Sequence, residues 1–431
     1  MVSETTSTIT NKLLRLISIK HLILNSSFTK IAIILATTAG LLIGVVVDTP
    51  QADASMTPTP LIVDDDGSQD GMTALAYMLA NPKFDIQAIT IAQGIAHPEI
   101  FVDNLERMLG RLEVTGIPIG VGRPDPLAGN NAFPEFIRDE SDTFWSPFVT
   151  LPETAPPVEK RPAAELIVET IQQSPEPVAI LATGPLTNIA EALRLDPTII
   201  DNIAVIEIMG GAVFVPGNLS VLPFPPFSTN TTAEFNIWVD PVAAQEVFEA
   251  GEQGLNIQLT PLDATNQIEF DRDDYQAWLA TGTPESIIAA EFLDFALTVI
   301  QSENDPNPVW DLVAAINLSE PNFSTETPLH IEVDTMSAPG ATQGQTKVIP
   351  DLPPNVWVSL NPSFDNLSFN SSQVFSYLET KSVPEPTSVL GLLAVGVSCH
   401  AFKLGISSEQ DARTTRLSPF LILRFKCRTA Y

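Results

Sequence analysis

Residues 60–71 read Pro60-Leu61-Ile62-Val63-Asp64-Asp65-Asp66-Gly67-Ser68-Gln69-Asp70-Gly71, a short apolar run followed directly by an acidic, glycine-containing loop. The apolar run predicts a buried strand over 60–63, and the next segment predicts a helix over 70–79. Similar strands and helices alternate from residue 58 to residue 360. This alternation is typical of an α/β fold, in which helices cover both faces of a mainly parallel, doubly wound sheet.

The remaining predicted elements continue this alternation of strands and helices. Strands are predicted over 86–91, 117–121, 178–182, 204–209 and 257–260, and helices over 98–112, 163–173 and 186–193. A further helix is expected to begin at Asp240-Pro241, because Asp can cap a helix and Pro fits its first turn. In such sheets ligands bind beyond the carboxyl ends of the strands, so the polar residues that follow each strand are the first candidates for a site.

The chain is strongly acidic, with a formal net charge of −31 over 431 residues. Lys and Arg collect near the ends, so residues 55–402 carry 11 Lys and Arg against 47 Asp and Glu, a net charge of 11 − 47 = −36. Such a domain repels phosphate backbones, which argues against nucleic acid as a partner and leaves neutral sugars, nucleosides and cations. Only Cys399 and Cys427 occur, and neither lies in the domain, so its fold depends on no disulfide.

Residues 1–54 are typical of a secretory signal peptide. Basic residues precede an apolar run over 31–47, and Ala52-Asp53-Ala54 resembles a cleavage site, which predicts a mature protein beginning at Ser55. An uncleaved membrane anchor is the alternative, because the run approaches spanning length. The protein is therefore expected to be exported, to the periplasm, the cell surface or the medium.

The other end carries Pro384-Glu385-Pro386 directly before the apolar run 389–397. Residues 381–402 resemble the PEP-CTERM sorting signal of exported bacterial proteins, which implies anchoring at the membrane or cell surface. A proline-rich linker before a marginal helix is the alternative. The basic tail 403–431 runs beyond that pattern, and no physical account of it is offered. The predicted domain thus spans residues 55–380.

The acidic loop holds four carboxylates within residues 64–70. Like charges packed so closely need compensation, which a helix N-terminus gives in part and a hard cation gives more fully. Calcium suits a flexible loop of oxygen ligands, and no Cys or His accompanies the cluster as zinc or copper would require. A solvated loop that caps the following helix explains the sequence of residues 64–71 equally well.

Five segments in order resemble the inosine-uridine-preferring nucleoside hydrolases, over roughly residues 58–360. They are Val63-Asp64-Asp65-Asp66, Ala182-Thr183-Gly184-Pro185-Leu186-Thr187-Asn188, Met209-Gly210-Gly211-Ala212 with Pro216-Gly217-Asn218, Ala233-Glu234-Phe235-Asn236-Ile237 with Asp240-Pro241, and Trp310-Asp311. The resemblance implies the Rossmann-like sheet of that family and an N-glycosyl hydrolase that splits ribonucleosides into ribose and free base. It also implies a homo-oligomer, since members are often dimers or tetramers.

The resemblance assigns roles as well. One Ca²⁺ and an attacking water would be held by Asp66, Asp70, Asp311 and the Thr183 carbonyl, with Asp66 also the general base. Asp70 would lie between the metal and the ribose hydroxyls, and the ribose would be bound further by Asn218, Glu234 and Asn236. An oxocarbenium-like transition state explains the anionic surroundings, because they stabilise the sugar as positive charge develops.

Three positions depart from the family pattern. Gly71 replaces the fourth aspartate of the loop, so calcium binding would be weaker, or Asp64, Asp65 or an extra water would fill the gap. By this reasoning Gly71→Asp would tighten binding. Trp310 replaces a histidine often invoked in protonating the leaving base; an indole cannot donate that proton at neutral pH but can stack on the base. Ile95 replaces an asparagine that touches the ribose, with His97 nearby.

Two other functions remain open at this point. The chain could be a surface protein that binds nucleosides or sugars but has lost turnover through Gly71 and the missing histidine. It could also hydrolyse a different N-ribosyl compound, with Trp310 and the aromatic stretch around Phe144-Trp145 shaping the leaving-group pocket.

Overall fold

The computed structural model describes residues 57–300 and 307–382, without the side chains of 381 and 382. The proposed signal peptide, almost all of the PEP-CTERM-like segment, the basic tail and both cysteines lie outside the described residues. Within the described ranges, no helix combines the length and apolarity needed to cross a membrane.

A nine-stranded sheet forms the centre of the described domain, in the order β10-β13-β7-β6-β5-β1-β2-β3-β4. Every neighbouring pair is parallel except β10 with β13, which is antiparallel. The strands are β1 Thr59–Asp65, β2 Phe84–Ile91, β3 Ile119–Val121, β4 Lys160–Pro162, β5 Val178–Ala182, β6 Ile203–Met209, β7 Ile257–Thr260, β10 Thr325–Leu329 and β13 Val356–Leu360. Two short antiparallel pairs lie outside it: β8 Glu269–Phe270 with β9 Asn307–Pro308, and β11 Ile331–Val333 with β12 Thr346–Val348.

The described helices connect these strands. They are α1 Gln69–Ala80, α2 Pro98–Arg111, α3 Glu135–Asp142, α4 Ala163–Gln173, α5 Thr187–Leu195, α6 Phe235–Val239, α7 Pro241–Glu252, α8 Leu262–Thr265, α9 Arg272–Thr281, α10 Pro284–Phe295, α11 Trp310–Ser319 and α12 Val374–Ser382. Asp240 caps α7 as predicted, because its Oδ1 accepts a hydrogen bond from the Ala243 N–H at 3.1 Å.

The described residues form three buried apolar clusters, and the two larger ones lie on opposite faces of the sheet. Along β1, Leu61 and Val63 belong to one buried cluster and Ile62 to the other, as the two-residue period of a strand requires. The first cluster contains residues of α1, α2, α10 and α11, and the second contains residues of α4, α5 and α7. Helices therefore cover both faces, and the predicted doubly wound α/β fold is confirmed.

The predicted elements agree closely with the observed ones. Strands β5 and β7 and helix α4 have the predicted bounds. The third strand begins at Ile119 and not at residue 117, because Pro118 has no N–H to donate to the ladder. The antiparallel edge strand β10 was not predicted.

Candidate active site

One cavity lies at the carboxyl ends of the central strands and encloses about 440 Å³, including its open mouth. Asp66 directly follows β1, Thr183 directly follows β5, and Met209 is the last residue of β6. These strands are neighbours in the sheet, so their ends meet at one point. All eight predicted site residues line this cavity: Asp66, Asp70, Thr183, Asn218, Glu234, Asn236, Trp310 and Asp311. The geometry brings them together, and their roles remain predictions.

Ser68 connects the two helices that carry the acidic residues. Its hydroxyl caps α1 by accepting a hydrogen bond from the Gly71 N–H at 2.7 Å. The same hydroxyl donates to Asp311 Oδ2 on α11 at 2.8 Å. The Asp311 N–H in turn faces Asp70 Oδ2 at 3.4 Å. The first turns of α1 and α11 thus hold Asp70 and Asp311 next to each other.

The cluster gathers buried acidic side chains that no described ion pair compensates. Burial, and then repulsion from Asp65, raises the pKa of Asp66 well above its usual range, although the Ile95 N–H donates to Asp66 Oδ2 at 3.0 Å. Burial and repulsion from Asp70 likewise raise the pKa of Asp311 well above its usual range. Among the ion pairs of residues 57–300 and 307–382, none includes a member of this cluster (Asp64, Asp65, Asp66, Asp70 and Asp311).

The donor set fits a hard divalent cation, because Asp66, Asp70, Asp311 and the Thr183 carbonyl offer only oxygen atoms. The Thr183 carbonyl accepts from Asn236 Nδ2 at 3.3 Å, and its second lone pair remains for an ion. In the part of the chain that the structure describes, no three acidic, His or Cys side chains already form a metal-binding group.

Asp65 is a buried neighbour of this set that the predicted site did not include. Its Oδ2 accepts from the Thr183 hydroxyl at 2.7 Å and its Oδ1 from the Gly67 N–H at 2.6 Å. A Cβ built on Gly71 would lie 1.8 Å from Asp65 Oδ2. A side chain at position 71 would therefore require the Asp65 carboxylate to move, and the tighter calcium binding expected of Gly71→Asp stays a prediction.

The groups predicted to bind ribose are fixed by backbone contacts. Glu234 caps α6: its Oε1 accepts from the Asn236 N–H at 2.9 Å, and its Oε2 accepts from the Gly211 N–H at 3.0 Å. Asn218 Oδ1 accepts from the Phe235 N–H at 3.1 Å, and Asn236 Nδ2 donates to the Met209 carbonyl at 3.1 Å. These side chains are held at the cavity wall before any ligand arrives.

Three aromatic rings form another part of the wall. Phe133 stacks on Phe235 with ring centroids 4.6 Å apart and an interplanar angle of 15°. The half-buried Trp310 donates its indole N–H to Asn266 Oδ1 at 2.8 Å. All three rings line the cavity. Phe235 lies within a segment that carried the family resemblance, so the sequence held a signal for it, whereas Phe133 had none beyond its place in an aromatic stretch.

Two sequence-based expectations about neighbouring residues need correction. Phe144 and Trp145 do not line the cavity; both are buried in the core, 5.7 Å and 5.4 Å from the Phe292 ring centroid. Ile95 does line the cavity, but His97 does not, and its Nδ1 lies 2.6 Å from Asp142 Oδ2. His97 thus has a structural partner away from the cavity.

Comparison with known proteins places this site in a family. The family model described as inosine-uridine preferring nucleoside hydrolase matches residues 61–367, well over half of the chain. The chain belongs to this nucleoside hydrolase family. Its reaction class, hydrolysis of an N-glycosyl bond, is thereby confirmed as predicted.

Relatives in the family support the assignment. The chain is 35% identical over 292 residues to the pyrimidine-specific ribonucleoside hydrolase RihA of Escherichia coli O127:H6, covering 67% of this chain and 88% of the relative. The same values hold for RihA of Citrobacter koseri.

Solved structures support the nucleoside hydrolase fold. The purine-preferring ribonucleoside hydrolase from Gardnerella vaginalis aligns with a TM-score of 0.63 at 23% identity, over 75% of this chain and 100% of that one. The inosine-uridine preferring nucleoside hydrolase from Bacillus anthracis aligns with a TM-score of 0.59 at 24% identity, over 75% and 99%.

Proposed function

We propose that the protein is an exported ribonucleoside hydrolase that uses a calcium-activated water to release ribose and a free base. The observation that carries this proposal is the meeting of all eight predicted site residues around one cavity. In the proposed reaction a water oxygen bonds to the anomeric carbon as the bond to the base breaks. The base departs with the electron pair, and the water gives up a proton.

The proposed calcium ligands are the carboxylates of Asp66, Asp70 and Asp311 and the carbonyl of Thr183. Their support is that these groups offer only oxygen atoms, are buried and line one cavity. When bound, calcium would orient the water and lower its pKa. In the family scheme Asp70 also contacts the ribose hydroxyls, which would fix the sugar relative to the ion.

Asp66 is the proposed general base. Its Oδ2 is held by the Ile95 N–H, which leaves Oδ1 to accept the proton of the attacking water. Gly94 lies so close to this carboxylate that a Cβ there would be 2.1 Å from Asp66 Oδ2, and a Cβ on Gly184 would be 2.7 Å from Asp66 Cβ. A carboxylate held so closely is positioned for proton transfer.

The remaining wall residues are assigned to the substrate. Asn218, Glu234 and Asn236 are proposed to bind the ribose, and the negative charge around it would stabilise the developing oxocarbenium ion. Trp310 and the Phe133–Phe235 pair are proposed to stack on the leaving base. Because an indole donates no catalytic proton at neutral pH, the departing base would take its proton from solvent at the cavity mouth.

Export and anchoring are proposed from the sequence alone. The domain would span residues 55–380, after removal of residues 1–54 and before the PEP-CTERM-like segment 381–402. Fractionation of cells that express the full chain, with N-terminal sequencing of the product, tests both ends. A cytoplasmic protein that retains residue 1 would refute export. Light scattering on the purified protein tests the proposed homo-oligomer.

The decisive test of activity is ribose release by the purified full chain. Uridine and cytidine are tried first because the Escherichia coli and Citrobacter relatives are named pyrimidine-specific. Inosine and adenosine complete the panel, each with calcium or with a chelator, and Asp66→Asn is the matched control. We expect calcium-dependent release. No ribose above the Asp66→Asn background, despite saturable nucleoside binding, would favour the binding-protein alternative.

A second candidate is hydrolysis of another N-ribosyl compound. The observation that favours it is Trp310, whose ring replaces the expected proton donor in the leaving-group wall. Such a site suits a leaving group that departs without protonation. N-ribosyl compounds with positively charged aromatic bases should then be cleaved faster than uridine, and the reverse order would exclude this candidate.

A further inference from the structure

The carboxylate of Asp65 lies beside the proposed calcium ligands, in space that is free only because residue 71 is glycine. Asp65 is fully buried at the end of β1, and its side chain reaches toward α1. A Cβ at position 71 would lie 1.8 Å from Oδ2, 2.6 Å from Cγ and 2.8 Å from Oδ1 of Asp65. The whole carboxylate thus occupies space that any side chain at position 71 would need.

The contacts of Asp65 place it beside the proposed ion ligands. Its Oδ2 accepts from the hydroxyl of Thr183, the residue whose carbonyl is a proposed ligand. Neither hydrogen bond to Asp65 brings a positive charge, since its donors are a threonine hydroxyl and a backbone N–H.

We propose that the Asp65 carboxylate contributes negative charge to the cation site, from the volume that Gly71 leaves free. This inference rests on the proposed calcium site. The loop has glycine at position 71, where the family pattern has an aspartate, and the Asp65 carboxylate occupies the space that a side chain there would need. A carboxylate on strand β1 thus takes the place of one on helix α1.

The neighbouring Asp64 shows that charge in this loop is not balanced by protein contacts alone. Its Oδ1 accepts from Thr90 and from Asn188 Nδ2, but its buried Oδ2 has no hydrogen-bond partner in the structure. An unpartnered carboxylate oxygen in a buried site is costly unless a cation lies nearby. Asp64 faces Thr90 and Asn188, on the other side of β1 from Asp65, so the position of the ion is inferred from Asp65 and Thr183 and not from Asp64.

Calcium titration of the full chain tests the proposal. The wild type and Asp65→Asn are stripped with chelator and titrated with CaCl₂ by calorimetry, with thermal unfolding recorded with and without calcium. Asparagine keeps the size of the side chain and an acceptor for Thr183 while removing the charge. We expect Asp65→Asn to weaken calcium binding by at least about tenfold and to shrink the calcium-induced rise in Tm.

Two control variants distinguish the possible failures. Glu207→Gln removes a buried carboxyl that does not line the cavity, so calcium affinity should stay within about twofold. Asp311→Asn should weaken binding strongly. If Asp311→Asn does so and Asp65→Asn does not, the role of Asp65 is refuted while the calcium site stands. If the wild type binds no calcium, both proposals fall.

Moving the carboxylate from position 65 to position 71 gives a second test, which does not depend on the folding of a single variant. Gly71→Asp alone should destabilise the protein and fail to tighten calcium binding, because the Asp65 carboxylate occupies the space. Combined with Asp65→Ala, the same change should restore calcium affinity to within about threefold of the wild type. Affinity that stays as low in the combined variant as in Asp65→Asn would refute the exchange.

Discussion

The buried acid Glu207 allows a quantitative prediction of how the stability of the protein depends on pH. It lies on β6, fully buried, with Thr260 donating to Oε1 and Asn317 Nδ2 lying 3.3 Å from both carboxyl oxygens. Burial raises its pKa from 4.5 to about 8. Because the folded protein holds the proton more tightly than the unfolded chain, this group favours folding fully below pH 4.5. That contribution is lost as the pH rises toward 8.

The size of the effect follows from the two pKa values of Glu207. Each pH unit between them corresponds to about 1.4 kcal/mol, so the loss between pH 4.5 and pH 8 is about 5 kcal/mol at most. Glu207→Gln removes this titration and keeps the size of the side chain. Its amide can donate to Thr260 Oγ1 and accept from Asn317, at a reorganisation cost of about 1 kcal/mol. Between pH 4.5 and pH 8, the free energy of unfolding should therefore fall by about 2 to 4 kcal/mol less in the variant than in the wild type.

Urea unfolding in chelator at pH 5, 6, 7 and 8 measures this difference. The two proteins should unfold at similar urea concentrations at pH 5 and diverge as the pH rises, with the variant more stable at pH 8. Glu269→Gln, at an exposed position on β8, is the matched control and should follow the wild type. Parallel curves for the wild type and Glu207→Gln would refute the reasoning, because the folded protein would then not retain a proton at Glu207.

Other predictions concern the cavity and the acidic loop. At saturating calcium, Asp66→Asn should lower kcat by about 10² to 10⁴, and a wild-type rate would exclude Asp66 as the base. Gly94→Ala should lower kcat by at least about tenfold, because its Cβ would lie 2.1 Å from Asp66 Oδ2; unchanged kinetics would show that the carboxylate is free to move. Trp310→Ala should raise KM by about 5- to 100-fold if the indole stacks on the base, and an unchanged KM argues against stacking. Burial raises the pKa of Asp64 and Asp65 to about 7, so the calcium-free protein should lose stability as the pH rises from about 4 to 7. Saturating calcium should reduce that loss, and equal slopes in thermal unfolding with CaCl₂ and with chelator would contradict this.

The sequence was most informative where local pattern and fold impose the same constraint. A buried parallel strand favours a continuous apolar run, and the run at β5 ends where the polar Thr183 begins, so its bounds were readable. Strand β7 alternates apolar and polar residues and ends before Pro261. Because parallel strands end at one edge of the sheet, residues that follow β1 and β5 had to lie together, and Asp66 and Thr183 do.

Contacts between distant segments could not be read in the same way. The aromatic stretch predicted a pocket at Phe144-Trp145, but the ring from that stretch that lines the cavity is Phe133, paired with Phe235 from α6. The sequence shows which residues are apolar, whereas the direction in which each ring points depends on the packing of α3 and the loops beside it. Glu234 likewise read as a ribose ligand, and only the structure shows that it also caps α6.

By itself the sequence determined the α/β architecture, the family and eight of the residues that line the cavity, because strand periodicity and the order of motifs are local properties of the chain. Only the tertiary structure showed which side chain occupies the space beside Gly71 in the acidic loop. Asp65 and Gly71 are six positions apart, on a strand and a helix, and only packing β1 against α1 shows that one carboxylate occupies the space left by the other residue's missing side chain. Side chains of different elements compete for the same closely packed space, so neither β1 nor α1 alone shows which residue occupies it.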